Sequence, residues 1–205
     1  MTFEGWAIFA VFWVVFVTSP GPNAANCIQN GMVFGFGRAL WGVAAILTQA
    51  ALFLALSALG VTALIAASST AFFVAKLAGA GLLIWLGVRN WMRATHPIEA
   101  GQASTHIFGR AFAIAAINPK SVAGYLAAFS QFVMPNVPIG VQMWVIVPTA
   151  LTLTAASYVT YTALGVWLGR RALSVMANTL IRRALAACFI LYGLALGAVN
   201  MPLRS

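Results

Sequence analysis

The sequence predicts an all-α membrane protein: six transmembrane helices, arranged as two inverted three-helix repeats, with helices one and four broken. Three observations point there. First, 62% of the 205 residues are hydrophobic and only 6% are charged, against about 25% charged in ordinary soluble domains. Six spans of ~20 residues need about 120 apolar positions, and 62% of this chain is about 127 residues. Second, the apolar runs are continuous, whereas a membrane barrel alternates apolar and polar residues, so the spans are helical. Third, polar breaks containing proline fall inside the first and fourth runs.

Span one covers roughly 6–30. Met1-Thr2-Phe3-Glu4 lacks the positive region of a cleavable leader, so this run is expected to stay as a span. Ser19-Pro20-Gly21-Pro22-Asn23 interrupts it, because two prolines around a glycine cannot continue an ordinary helix. Span two covers 39–66 and ends in an Ala67-Ser68-Ser69-Thr70 turn; span three covers 70–90. The longest polar stretch, about Arg89 to Arg110, follows and is too short for a soluble catalytic or nucleotide-binding domain. Span four covers 108–132 and is broken at Asn118-Pro119-Lys120. The prolines of Met134-Pro135-Asn136-Val137-Pro138 turn the chain into span five, 141–168. Span six covers 183–201. Its Gly193 and Gly197 permit close helix approach, within the chain or across a homodimer.

Arginine sets the orientation. The loops after spans one, three and five collect Arg38, then Arg89, Arg93 and Arg110, then Arg170, Arg171, Arg182 and Arg183; the other side holds only Arg204. Eight against one is a strong positive-inside signal. Both termini are expected outside and the odd-numbered loops in the cytoplasm. The net charge of +9 then reflects orientation and anionic lipid, not nucleic acid. Three spans per half is an odd number, so residues 101–205 are expected to be inserted upside down relative to 1–100, the plan of many transporters.

The two breaks occupy corresponding positions in these halves. Helices restarting after them would aim free N–H groups and positive dipole ends inward, where a carboxylate is a natural ligand. The candidate substrate contacts are Pro20, Gly21, Pro22, Asn23, Asn118, Pro119 and Lys120. Lys76 and Lys120 are the only lysines and both fall in spans, while Glu4 and Glu99 lie outside them. A charge in a membrane span without a carboxylate partner is a functional candidate. Lys120 could bind backbone carbonyls, bind a substrate carboxylate, or give up its proton. Lys76 lies near the outer end, where its stem could snorkel. Asn26, Gln49, Lys76 and Thr154 are secondary candidates. Polar packing contacts explain them, and Thr48, Thr152, Ser157 and Tyr158, about as well. Cys27 and Cys188 lie in apolar runs as small core residues, and His96 and His106 fall in a loop. No metal site or cofactor is expected. With no Asp, Glu or His in the spans there is little equipment for acid–base catalysis, so no enzyme is expected.

These residues resemble the LysE/RhtB family of amino-acid exporters. The resemblance rests on S-P-G-P-N at 19–23, I-N-P-K-S at 117–121, K-L-A-G-A-G-L-L-I-W-L-G at 76–87 and S-Q-F-V-M-P at 130–135. It implies six spans, a bacterial inner-membrane location with periplasmic termini, and export of amino acids or related small molecules, with proton-driven exchange usually inferred. Where some relatives carry an acid in span two or five, this chain offers Gln49 and Thr154. No buried anion awaits a cationic side chain, so a neutral, zwitterionic amino acid is expected. The expected partners are that substrate, membrane lipids and, in coupled exchange, protons. A channel or structural membrane protein without coupled transport is the alternative, as is a metal-ion exporter of a related family, though two separated cysteines make a poor soft-metal site.

Overall fold

The computed structural model describes residues 2–67, 69–96, 105–169, 171 and 178–200. Among them are seven α-helices and no strand. They are α1 (Phe3–Thr18), α2 (Pro22–Ala67), α3 (Ser69–Met92), α4 (Ile107–Ile117), α5 (Pro119–Phe132), α6 (Ile139–Leu168) and α7 (Thr179–Asn200). Within the described residues, Pro22–Gly60 of α2 and the whole of α6 are long and apolar enough to cross a membrane.

Both breaks have one local cause. A proline ring excludes the helical conformation from the residue before it. Ser19, preceding Pro20, takes φ −63° and ψ 124°. Asn118, preceding Pro119, takes φ −67° and ψ 113°. Asn118 then caps the following helix: its Oδ1 accepts the Lys120 N–H at 3.0 Å, while Pro119 stands where a missing N–H costs nothing. At the chain start, Thr2 caps α1 by accepting the Gly5 N–H at 3.1 Å.

A single glycine turns α2 back on itself. Gly35 stands at φ 71° and ψ 171°, which glycine reaches at little steric cost. In one straight helix residues 30 and 42 would lie ~18 Å apart. Instead, a Cβ added to Gly42 would stand 2.8 Å from Asn30 Nδ2. The sequence suggested a gap between 30 and 39 at this point; both helices run on to meet at Gly35. The next turn falls where expected: α2 ends at Ala67 and α3 begins at Ser69, with Ser68 outside the described residues.

The turn between α5 and α6 loses donors to Pro135 and Pro138, and one buried side chain compensates. Gln142 Oε1 accepts the Met134 N–H at 2.9 Å, and its Nε2 donates to Met134 O at 2.9 Å and Val137 O at 2.8 Å.

Helices meet closely where side chains are missing. A Cβ on Gly165 would collide with the Ile28 carbonyl, and one on Gly31 with that of Thr162. The 22–34 part of α2 therefore lies backbone to backbone against α6. Likewise a Cβ on Gly193 would stand 2.8 Å from Ala80 O, so this glycine serves α3–α7 packing within the chain. On the other side of the breaks lies an aromatic core. Phe9, Phe12, Trp13 and Phe16 share one face of α1 and pack with Tyr125, Phe129 and Phe189.

The outer surface is apolar, as a lipid-facing surface should be. Trp144 and Trp167, at opposite ends of α6, are 83% and 86% exposed. Their 23-residue separation spans ~34 Å of helix, close to the ~30 Å hydrocarbon thickness of a bilayer. Interfacial belts place tryptophan at such levels.

Candidate functional site

The two breaks meet. Asn23 in the first turn of α2 and Lys120 in the first turn of α5 line one buried cavity, with Asn118, Ser121 and Tyr125 beside them. Gln49 of α2 and Thr154 and Tyr158 of α6 complete its polar wall, and Phe16, Val17 and Ile46 its apolar one. The cavity measures about 10 Å³, about the room of one water molecule.

Lys120 is the charge at its centre. Nζ donates to Ser19 O at 2.5 Å and stands 5.3 Å from the centroid of the Phe16 ring. No carboxylate pairs with it among the described residues. Its partner is instead the end of α1, where helix carbonyls lack intrahelical donors and the dipole is negative. The two preceding carbonyls are satisfied from α6. Ser157 Oγ donates to Val17 O at 3.2 Å, and Tyr161 OH donates to Thr18 O at 2.5 Å. Gly21 lies over the lysine stem, where a Cβ would stand 3.8 Å from Lys120 Cδ.

Several polar groups in the wall remain uncommitted. Gln49 is 1% exposed and its Nε2 has no partner; the same holds for Asn23 Oδ1 at 5%. Thr154 is held in place: its Oγ1 accepts from Trp13 Nε1 at 3.0 Å and donates to Ala150 O at 2.6 Å. One lone pair of that hydroxyl is left. The cavity thus offers an ammonium, an amide donor and the N-terminal ends of two helices beside an amide oxygen and a row of helix-end carbonyls.

Of the residues singled out from sequence, Asn23, Asn118, Lys120, Gln49 and Thr154 line this cavity. Pro20 and Gly21 form the break beside it. Pro22 and Pro119 open α2 and α5, and Pro22 faces outward. Asn26 is buried one turn further along α2, outside the cavity wall. The side chain of Lys76 lies outside the described residues. Sequence reasoning gave no role to Ser121, Tyr125 or Tyr161. Ser121 and Tyr125 stand four residues apart on one face of the helix that follows the break, a signal that was available. Tyr161 carried none, since its partner is 143 positions away.

The chain is similar to known proteins. A family model described as LysE type translocator matches residues 14–199. A Vibrio cholerae protein named as an uncharacterized membrane protein is 31% identical over 205 residues, covering 98% of this chain and 100% of its own length. The homoserine/homoserine lactone efflux protein of Salmonella typhimurium is 33% identical over 142 residues, 67% of this chain and 69% of that protein. The leucine efflux protein of an Enterobacter species is 26% identical over 159 residues, 75% of this chain and 74% of that protein. No solved structure matches the chain.

Proposed function

Because this chain belongs to the LysE type translocator family, a family of membrane transporters, we propose that it exports a zwitterionic amino acid by alternating access. The mixed chemistry of one buried cavity carries this reading. Lys120, Gln49 Nε2 and the first turns of α2 and α5 suit a carboxylate. Asn23 Oδ1 and the carbonyls ending α1 suit an ammonium. Glu4 stands in the first turn of α1, ~21 Å of helix from its broken end, and no acidic residue lines the cavity to attract a cationic side chain. Relatives named for homoserine and leucine efflux support an uncharged side chain. The closed cavity, about 10 Å³, supports a gated transporter over an open channel, since an amino acid enters only if the helices part.

In the proposed architecture α1 with 22–34 makes the first broken span, and α4 with α5 makes the fourth. Residues 36–67, α3, α6 and α7 supply the others. Residues 1–100 and 101–205 are then the inverted halves, set in a bacterial inner membrane with both termini periplasmic. Exchange against protons is the proposed driving force.

Counterflow in proteoliposomes tests this reading. Labelled leucine and homoserine should exchange saturably, and faster than arginine or lysine, with a pH gradient changing the rate. Preferential arginine or lysine transport would reject the substrate class, and unsaturable flux would favour a channel.

A further inference from the structure

A buried site needs a path to one face of the membrane, and one face of α2 supplies it. Asn23, Asn26 and Asn30 are spaced by three and four residues, so they share a helix face. They are 5%, 4% and 2% exposed. Asn26 has no partner for either side-chain polar atom, and Asn23 Oδ1 and Asn30 Nδ2 have none either. Leaving one buried amide unpaired costs its full desolvation. Three in a row at membrane depth is costly as packing and is expected where polar groups line a solute path.

The row points somewhere specific. Asn23 lines the central cavity. Asn30 lies ~10 Å further along the helix. There its Nδ2 occupies the space that a side chain on Gly42 would take, with Ile107 Cγ2 and Ala111 Cβ at 3.5 and 3.8 Å from that Cβ position. Ile107 in turn borders a second cavity of about 440 Å³, lined by Arg38, Trp41, Thr105, His106, Phe108 and Gly109. Arg38 is exposed there, its guanidinium 5.3 Å from the Phe34 ring centroid. Towards the other membrane face, the aromatic core of α1, α5 and α7 closes the site.

We propose that this second cavity is the loading vestibule. Arg38 receives the carboxylate of a zwitterionic amino acid, the asparagine row conducts it to Lys120, and the Asn30 amide against Gly42 is the inner gate. The proposal rests on the exporter reading and adds to it an entry site, a route and a constriction.

Thiol accessibility tests the route without reference to any substrate. In a Cys27→Ala, Cys188→Ala background, single cysteines replace Asn26, Asn30, Ala45 or Thr105. Sealed vesicles of both orientations are treated with a charged methanethiosulfonate reagent. Thr105→Cys reports which face carries the vestibule. Asn30→Cys and Asn26→Cys should react from that same face, about tenfold or more faster than Ala45→Cys, which is fully buried off the row. Reaction no faster than Ala45→Cys in protein that elutes as folded overturns the route. Transport by Arg38→Gln tests the loading site. Half-saturation for leucine on the vestibule side should rise about fivefold, as loss of one solvent-exposed ion pair implies, and should hold on the opposite side. An equal rise on both sides, or none, overturns the role of Arg38. If wild-type protein moves no amino acid, the exporter reading fails, and accessible Asn26 and Asn30 positions would still establish the polar route.

Discussion

Lys120→Met separates the structural work of this lysine from its proposed work on substrate. Methionine keeps most of the apolar stem and removes the ammonium. In the resting protein this deletes the bond to Ser19 O and the approach to Phe16. A hydrogen bond to a charged group contributes about 1.5–3 kcal/mol, and a desolvated cation–π contact about 2 kcal/mol. Opposing that loss is relief of the desolvation penalty of a buried ion, itself several kcal/mol. The two sides are similar in size, so stability should change by no more than ~2 kcal/mol in either direction. Transport has no such compensation. Losing one charge-assisted contact to a carboxylate costs about 1.5–3 kcal/mol, or about 10- to 150-fold in affinity. Counterflow of a labelled zwitterionic amino acid measures the second quantity, and tryptophan fluorescence melting in detergent the first. Lys120→Arg keeps the charge but does not readily lose its proton, so it should bind substrate better than it responds to a pH gradient. Lys120→Met that melts normally and transports at the wild-type rate and half-saturation would refute this account.

Three further outcomes follow from packing and charge. Gly165→Val should lower stability in detergent by about 1–3 kcal/mol or abolish folding, because its side chain meets the Ile28 backbone, while Gly109→Ala, open on all sides, should melt as wild type. Gln142→Leu leaves the Met134 N–H and the Met134 and Val137 carbonyls without their side-chain partner and should cost about 1–3 kcal/mol by the same melt. For topology, Thr105→Cys in intact cells should resist an impermeant maleimide and react after permeabilisation; ready labelling from outside would invert the orientation.

What the sequence revealed depended on how local the cause was. Ser19-Pro20 and Asn118-Pro119 could be read directly, because the restriction on the residue before proline acts between neighbours. Lys120 stood out because a lone cation in an apolar run has few structural uses. The turn at Gly35 was less legible. Gly35 and Gly37 look alike in sequence; the contact of Asn30 with Gly42 shows that the chain reverses between them, and the backbone at φ 71° shows that Gly35 does it. Thr154 was visible as a polar interruption, but its engagement by Trp13 was not, since the two residues are 141 positions apart. The donors that cap α1 were hidden for the same reason. Ser157 and Tyr161 look like ordinary polar decoration on α6 until the fold brings them to Val17 and Thr18.

Those caps bear on which contacts part during transport. Three successive carbonyls at the end of α1 receive three donors. Ser157 and Tyr161 both belong to α6, and α6 holds α1 at two more points, through Trp6 to Thr149 and Trp13 to Thr154, each at 3.0 Å. The third donor, Lys120, belongs to α5 and is the only cation among them. On the exporter reading, an arriving carboxylate competes with Ser19 O for that ammonium, and an anion is the stronger acceptor. Substrate then weakens the α1–α5 contact and leaves the α1–α6 contacts intact. Binding alone would therefore bias α1 and α6 to move together, away from α5. A ligand shifts a conformational equilibrium only through such a difference in contacts. An exchange of partners at Lys120 provides that difference without an acidic residue in the cavity wall.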